Sequence, residues 1–199
     1  MTYPGFAIRP TRALPFLGLL AALLLAAGAA HPQVSAAQKP RPPIKAADLA
    51  QRIHTRINAE RAKNGLSPLA WDKALARIAA GHSRDMARRN TSATIPPKDT
   101  ALRTAIAKRA ILARSASAGP PTAGAENIAL GNLYDSVTTV NGVARYDWNS
   151  SEKISGKAVE EWMKSTEHRK NILTPHWKHE GIGVEIAPDD KVYITQNYC

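Results

Sequence analysis

Cysteine is almost missing from this chain: 199 residues contain one, Cys199, at the last position. That excludes an intramolecular disulfide framework, an iron–sulfur cluster and any zinc site built on several thiolates. No Gly-rich phosphate loop, nucleophile elbow, HExxH or paired CxxC occurs either, so the common nucleotide-binding, hydrolase and zincin signatures are absent. Acidic residues are in short supply. Sixteen Asp and Glu face 27 Lys and Arg, a formal charge of +11. A hydrophobic fraction of 44% with 22% charged residues is that of a globular chain, neither disordered throughout nor polytopic in a membrane. One folded domain is expected.

The first 36 residues read as an exported leader. Arg9 and Arg12 precede a Leu/Ala-rich run from Ala13 to Ala30, and small residues follow at Val34, Ser35 and Ala36. A retained membrane anchor is the competing reading, weakened by Pro15 and the Ala/Gly-rich end of the run. With no cysteine after the run and no Arg-Arg pair before it, a lipoprotein anchor is excluded and the general secretory route is favoured. The expected location is secreted or periplasmic, with no stable membrane span once the leader is cleaved. The remainder keeps 25 basic against 16 acidic side chains, a net +9. No nucleic-acid motif accompanies this charge, so export sets it against an anionic envelope polymer or lipid head groups, or leaves it as a solvated surface. In an oxidising compartment Cys199 is an odd thiol available for a disulfide dimer.

Residues 37–44 read as a proline-rich linker, since Q-K-P-R-P-P blocks helix. The domain is expected over 45–199. Leu49, Ile53 and Ile57 recur at helical spacing up to Asn64-Gly65, predicting a helix over Lys45 to Lys63. Asp72 caps a second helix with Leu75, Ile78, Ala79, His82 and Met86 on one face. Asp99 to Ala113 reads as a third, followed by a small-residue loop from Ser115 to Gly124. Asn141-Gly142 is a hairpin signal between strands at Val137 to Val140 and Val143 to Tyr146. Lys157 to Ser165 reads as a helix with Ala158, Val159, Trp162 and Met163 inward, and Gly181 to Ile186 pairs antiparallel with Lys191 to Tyr198. Helices around a small, mainly antiparallel sheet make an α+β layered domain.

Six segments then occur in a telling order: I-N-x-x-R-x-x-x-G-L-x-P-L at Ile57 to Leu69, H-S-x-D-M-A at His82 to Ala87, A-E-N-I-A at Ala125 to Ala129, W-M-x-S-x-x-H-R-x-N-I-L at Trp162 to Leu173, G-I-G-V at Gly181 to Val184, and T-Q-N-Y at Thr195 to Tyr198. Together they resemble the CAP superfamily, the SCP-like extracellular domain, in its bacterial form. The resemblance implies a three-layer α-β-α sandwich whose central cleft holds two His and two Glu, able in some members to take a divalent cation such as zinc. Other members bind sterols or fatty acids, and proteolysis has been proposed for a few. Residue-by-residue carry-over gives Glu126 and His168 as cleft and candidate metal residues. Two positions depart from the pattern: the usual first His falls near Thr94, and the second Glu of animal members falls on Ser165.

Two ligands make a poor zinc site. Glu161, one turn before Ser165, is the candidate replacement reaching toward His168, with Glu160 and Glu167 less well placed. Glu126 has a simpler role open to it, accepting main-chain N–H groups or pairing with His168. His82 lies on an apolar helix face and reads as a core histidine. Asn127, Arg169 and Asn171 would orient a ligand or bond to backbone, and Trp71, Trp162 and Trp177 read as core. A hydrolase using His168 with Glu126, or a two-carboxylate glycosidase using Glu126 with Glu161, remains the alternative. Non-catalytic binding of an envelope component or a small amphipathic ligand, of lipid or sterol type, is favoured. The hairpin insertion at 132–156 is expected beside the cleft, where Tyr134, Tyr146 and Trp148 would offer aromatic surface and Arg145 charge.

Overall fold

The computed structural model describes residues 39–92 and 124–199. The expected leader, position Thr94, the Asp99 to Ala113 helix and nearly all of the loop after it lie outside the described residues. Helix α1 spans Ala46–Lys63 and buries Leu49, Ala50, Ile53, Ile57 and Arg61, an i, i+4 stripe. It closes where Leu66 N donates to Arg61 O and Gly65 takes a φ of +69°, a left-handed turn that suits glycine. The two-residue strand β1, Ala70–Trp71, leads into α2, Lys73–Arg89, whose N-terminus is capped by Asp72 accepting from the Ala74 and Leu75 amides.

Strands β2 (Ala125–Asn132), β5 (His179–Ile186) and β6 (Lys191–Tyr198) join β1 in one sheet of order β1-β5-β6-β2, antiparallel except for β1 on β5. A hairpin of β3 (Tyr134–Val140) and β4 (Val143–Trp148) forms a second, two-stranded sheet, turned by Asn141 and Gly142 at φ +51° and +77°. Helices α3 (Ser151–Lys164) and α4 (Thr166–Ile172) follow. The sequence pattern places the start of α3 at Lys157. The helix begins six residues earlier because Ser150 accepts from Lys153 N, and Ile154, Ala158 and Trp162 then extend one buried stripe. Strand β2 and helix α4 carry no clear signal in the sequence. A-E-N-I-A-L-G-N lacks the polar–apolar alternation that marks a half-buried strand, since it carries polar side chains to both faces.

The sheet is the middle layer of an α-β-α sandwich. On one face, Gly181 and Gly183 lie directly under α2: a Cβ at Gly181 would stand 2.1 Å from Ala76 N, and one at Gly183 1.9 Å from Ala80 N. That contact explains G-I-G-V physically, because only a missing side chain lets a helix backbone approach so closely. On the other face Ile182, Val184, Val192 and Ile194 meet α1 and α3 in the main core with Ile53, Ile57 and Trp162. The stretch read as a linker is tied down from Lys39 onward: the Trp148 indole donates to Lys39 O, and Arg41 Nε pairs with Asp190 at 2.6 Å. Among the described residues, no helix is long and apolar enough to cross a membrane.

Candidate functional site

Strand register decides what each residue of A-E-N-I-A can reach. Glu126 lies opposite Asn197, and Asn127 opposite Gln196, so consecutive side chains of β2 serve opposite faces of the sheet. On the α2 face, the Glu126 carboxylate accepts from His82 Nδ1 at 3.1 Å. His82 is 4% exposed, and its other nitrogen, Nε2, is buried with no hydrogen-bond partner, as are both polar atoms of the Asn197 side chain. His82 thus takes the place of His168, the expected partner of Glu126. Asn127, fully buried on the opposite face, takes the His168 segment instead: its amide lies 3.2 Å from His168 O, 3.0 Å from Tyr198 OH and 3.2 Å from Gln196 Oε1. Burial lowers the His168 pKa, so its imidazole favours the neutral form.

Asn171 completes this junction, donating to Asn127 Oδ1 at 2.9 Å and reaching Glu126 O at 3.3 Å, while its own carbonyl accepts from the Trp177 indole. Asn127 and Asn171 therefore fasten α4 to β2. Ser165 sits at the join of α3 and α4 with no side-chain cap bond. Glu161 does not rescue the lost ligand: its side chain is 70% exposed and bonded to Lys164, because the helix turns it outward. Glu160 likewise pairs with Lys164. Trp162 and Trp177 are core residues, and Trp71 packs against that core.

A second polar set escapes sequence reasoning. Glu180, fully buried, accepts from His54 Nδ1 at 2.5 Å and from Gln196 Nε2 at 2.5 Å. Through Gln196 it joins Asn127, so a hydrogen-bonded chain runs from α1 beneath the sheet to the His168 segment. Arg61 is also fully buried and donates to the carbonyls of Ser67, Ile172 and Thr174, and burial lowers its pKa. A Glu inside the apolar strand H-E-G-I-G-V is the available signal for the first, and the Arg of I-N-x-x-R for the second.

No group of three or more His, Cys, Asp or Glu gathers among the described residues, and a zinc ion needs at least that many. The hairpin springs from the end of β2 remote from Glu126. Asn132 stands six positions along β2 from Glu126, about 20 Å of strand, and the 14 residues of α3 carry the chain back toward His168. Its three aromatic rings pack on one another instead, Tyr146 and Trp148 stacked at 4.7 Å and Tyr134 edge-on to both. At that far end, β2, the hairpin base and α3 enclose a cavity of about 290 Å³.

A model of the cysteine-rich secretory protein (CAP) family matches residues 54–198. Two Bacillus subtilis proteins are similar: the uncharacterized membrane protein YlbC, 31% identical over 141 residues (71% of this chain, 31% of that protein), and the uncharacterized protein YkwD, 32% identical over 126 residues (63% and 38%). The chain thus spans about a third of the length of these curated relatives. Among solved structures, an extracellular SCP-domain protein of Bacillus anthracis superposes with a TM-score of 0.51 at 25% identity, over 80% of this chain and 44% of that one. An outer surface protein of Borrelia burgdorferi gives 0.54 at 13% identity, over 78% and 94%, a likeness of fold.

Proposed function

This chain belongs to the cysteine-rich secretory protein (CAP) family, and we propose that it is an exported, non-catalytic binding module for an envelope component or a small amphipathic ligand. One observation carries the reading. The polar side chains that a hydrolase would need in the cleft are occupied in holding the fold: Asn127 and Asn171 fasten α4, and Glu126 accepts from a His82 whose remaining nitrogen is sealed from solvent. A base that water and substrate cannot reach abstracts no proton. The net +9 left after removal of residues 1–36 supplies attraction to anionic envelope polymers, and the leader-like segment supplies the route to them. The mature N-terminus is expected between Ala29 and Ala37, read by intact mass of the exported protein.

The buried His82–Glu126 dyad keeps one rival in view, a His/Glu-dependent hydrolase in which the cleft opens to admit substrate. Co-sedimentation of the exported protein with purified cell-wall polymer and with anionic vesicles, alongside fluorogenic ester and peptide substrates, separates the two. Salt-sensitive retention without turnover is the expected result. Turnover abolished by His82→Gln, Glu126→Gln or His168→Ala would establish the hydrolase.

A further inference from the structure

We propose that the cavity at the hairpin end of β2 is a strand-addition slot, in which an extended, uncharged peptide pairs with the open edge of β2 at Leu130. The inference rests on the binding-module reading and names a ligand class for it. The phase of the sheet's hydrogen bonds carries it. Cys199 and His179 exchange both of their backbone bonds, at 3.1 and 3.0 Å, so the odd-numbered residues of β6 bond to β5 and the even-numbered ones to β2. Val192 and Ile194 therefore take Gly131 and Ala129 as bonded partners, and Glu126, Ile128, Leu130 and Asn132 turn both N–H and C=O away from the sheet.

Four carbonyls thus lie along the outer edge of β2, and side chains cap three of them. Asn171 donates to Glu126 O at 3.3 Å, the Trp162 indole to Ile128 O at 2.8 Å and Asn149 to Asn132 O at 3.4 Å. The Leu130 carbonyl has no such cap, and among the described residues no group bonds to its outward N–H either. Leu130 is 49% exposed and lines the cavity. Its side chain leaves on the α2 face with that of Glu126, four residues back, so what it gives the cavity is main chain.

An N–H and a C=O side by side on one residue select the ligand. A lone amide cannot meet both, because its own N–H and C=O point opposite ways across a trans bond. A residue flanked by two peptide groups presents both on one side, which is how an added strand binds a sheet edge. The residues on either side of it turn their side chains toward α3, where Ala129, Gly131, Ile194, Ile154 and Ala158 form an apolar floor. At about 290 Å³ the space lies at the small end of ligand pockets, which run from about 300 to 1,000 Å³, so a short stretch with small side chains fits. The charged groups of the wall are already matched: Asp135 pairs with Lys153 and Lys157, and Lys164 with Glu160 and Glu161. No net charge is left over to demand one of the ligand.

Amide-resolved NMR and hydrogen exchange on the exported protein, with N-acetyl-trialanine amide as the probe, test the slot. In the free protein the Leu130 amide should exchange fast between protected amides at Ala129 and Gly131. The peptide should shift it saturably and slow its exchange. Methylating the nitrogen of the central alanine should weaken binding at least about tenfold, while methylating that of the first is borne, because alternate N–H groups face away. Leu130→Pro removes the outward donor at an edge position where proline is tolerated, and should stay folded and lose the response. Gly131→Val, whose Cβ meets nothing within 4 Å, fills the floor and should do the same. An analogue alternating L- and D-alanine tells the sources apart: tighter binding than the all-L probe assigns a peptide-bearing envelope polymer, weaker binding a protein segment. A Leu130 amide already protected in the free protein would overturn the open edge. Binding that ignores central methylation, or survives both variants, would place the peptide elsewhere and sink the slot. If every peptide fails while cell-wall polymer still sediments with the protein, the slot falls and the binding-module reading stands. Failure of both ends both.

Discussion

Glu126 and Asn127 are neighbours in β2, yet one closes the α2 layer of the sandwich and the other the α4 junction. Glu126 accepts from His82 Nδ1 at 3.1 Å, while Asn127 binds His168 O and Tyr198 OH across the sheet. A one-residue slip of β2 against β6 would exchange them and orphan both sets of partners. The motif A-E-N therefore pins strand register.

The His82–Glu126 pair should show up as a coupling energy. Glu126→Leu and His82→Leu each leave a buried polar partner short of a bond, costing ~1 to 3 kcal/mol. Their double variant should lose less than the sum, whereas Glu126→Leu with His168→Ala should be additive. Urea denaturation of these single and double variants reads this directly. Coupling between Glu126 and His168 in place of the first pair would contradict the observed geometry.

Asn127→Leu should be among the most damaging substitutions in β2. It strands the His168 carbonyl, Tyr198 OH and Gln196 Oε1 in a buried site, at ~1 to 3 kcal/mol for each group that finds no water. Hydrogen exchange should report the loss first in α4, the element that Asn127 and Asn171 hold. Uniform loosening with α4 still protected would count against that fastening role.

Gly183→Ala tests the close approach of α2 to the sheet. The added methyl would overlap the backbone at Ala80, and destabilisation of about 3 kcal/mol or more is expected. Gly81→Ala, whose Cβ meets nothing within 4 Å, should be tolerated or mildly stabilising as a helix substitution. Thermal melts of the two variants should differ in sign or nearly so.

Stability should also fall with acidification through His168. Burial lowers its pKa, so the unfolded chain takes up a proton before the folded one does. Above the ordinary histidine range both states are neutral and this residue adds no slope. As pH drops through that range toward the folded pKa, stability is lost. Denaturant midpoints between about pH 7.5 and about pH 5 should decline less in His168→Gln than in the parent. An equal decline would assign the slope to other groups.

Much of the fold is legible in the amino-acid sequence. The helical stripes of α1 and α2, the Asp72 cap and the Asn141-Gly142 turn follow from local rules, because periodicity and turn chemistry act over a few residues. The ordered segments from Ile57 to Tyr198 carry the family resemblance. What local pattern cannot supply is pairing. Glu126 is legible as a candidate site residue, but the histidine bonded to it is not the expected His168, since nothing in the chain states which face of β2 it occupies. Register against β6 settles that and turns it to His82. Distance works the same way: the hairpin begins a few residues after Glu126 in sequence, but an extended strand converts those residues into about 20 Å. Glu180 and Arg61 become buried anchors only when α1, β5 and α4 are brought together, for a charge is burial-tolerant only through partners that lie far away in the chain. Composition and periodicity determine most of the elements, though not β2 or α4, and that they make an α+β domain; tertiary packing alone decides which polar groups meet, because a strand's two faces and its far neighbours exist only in the assembled sheet.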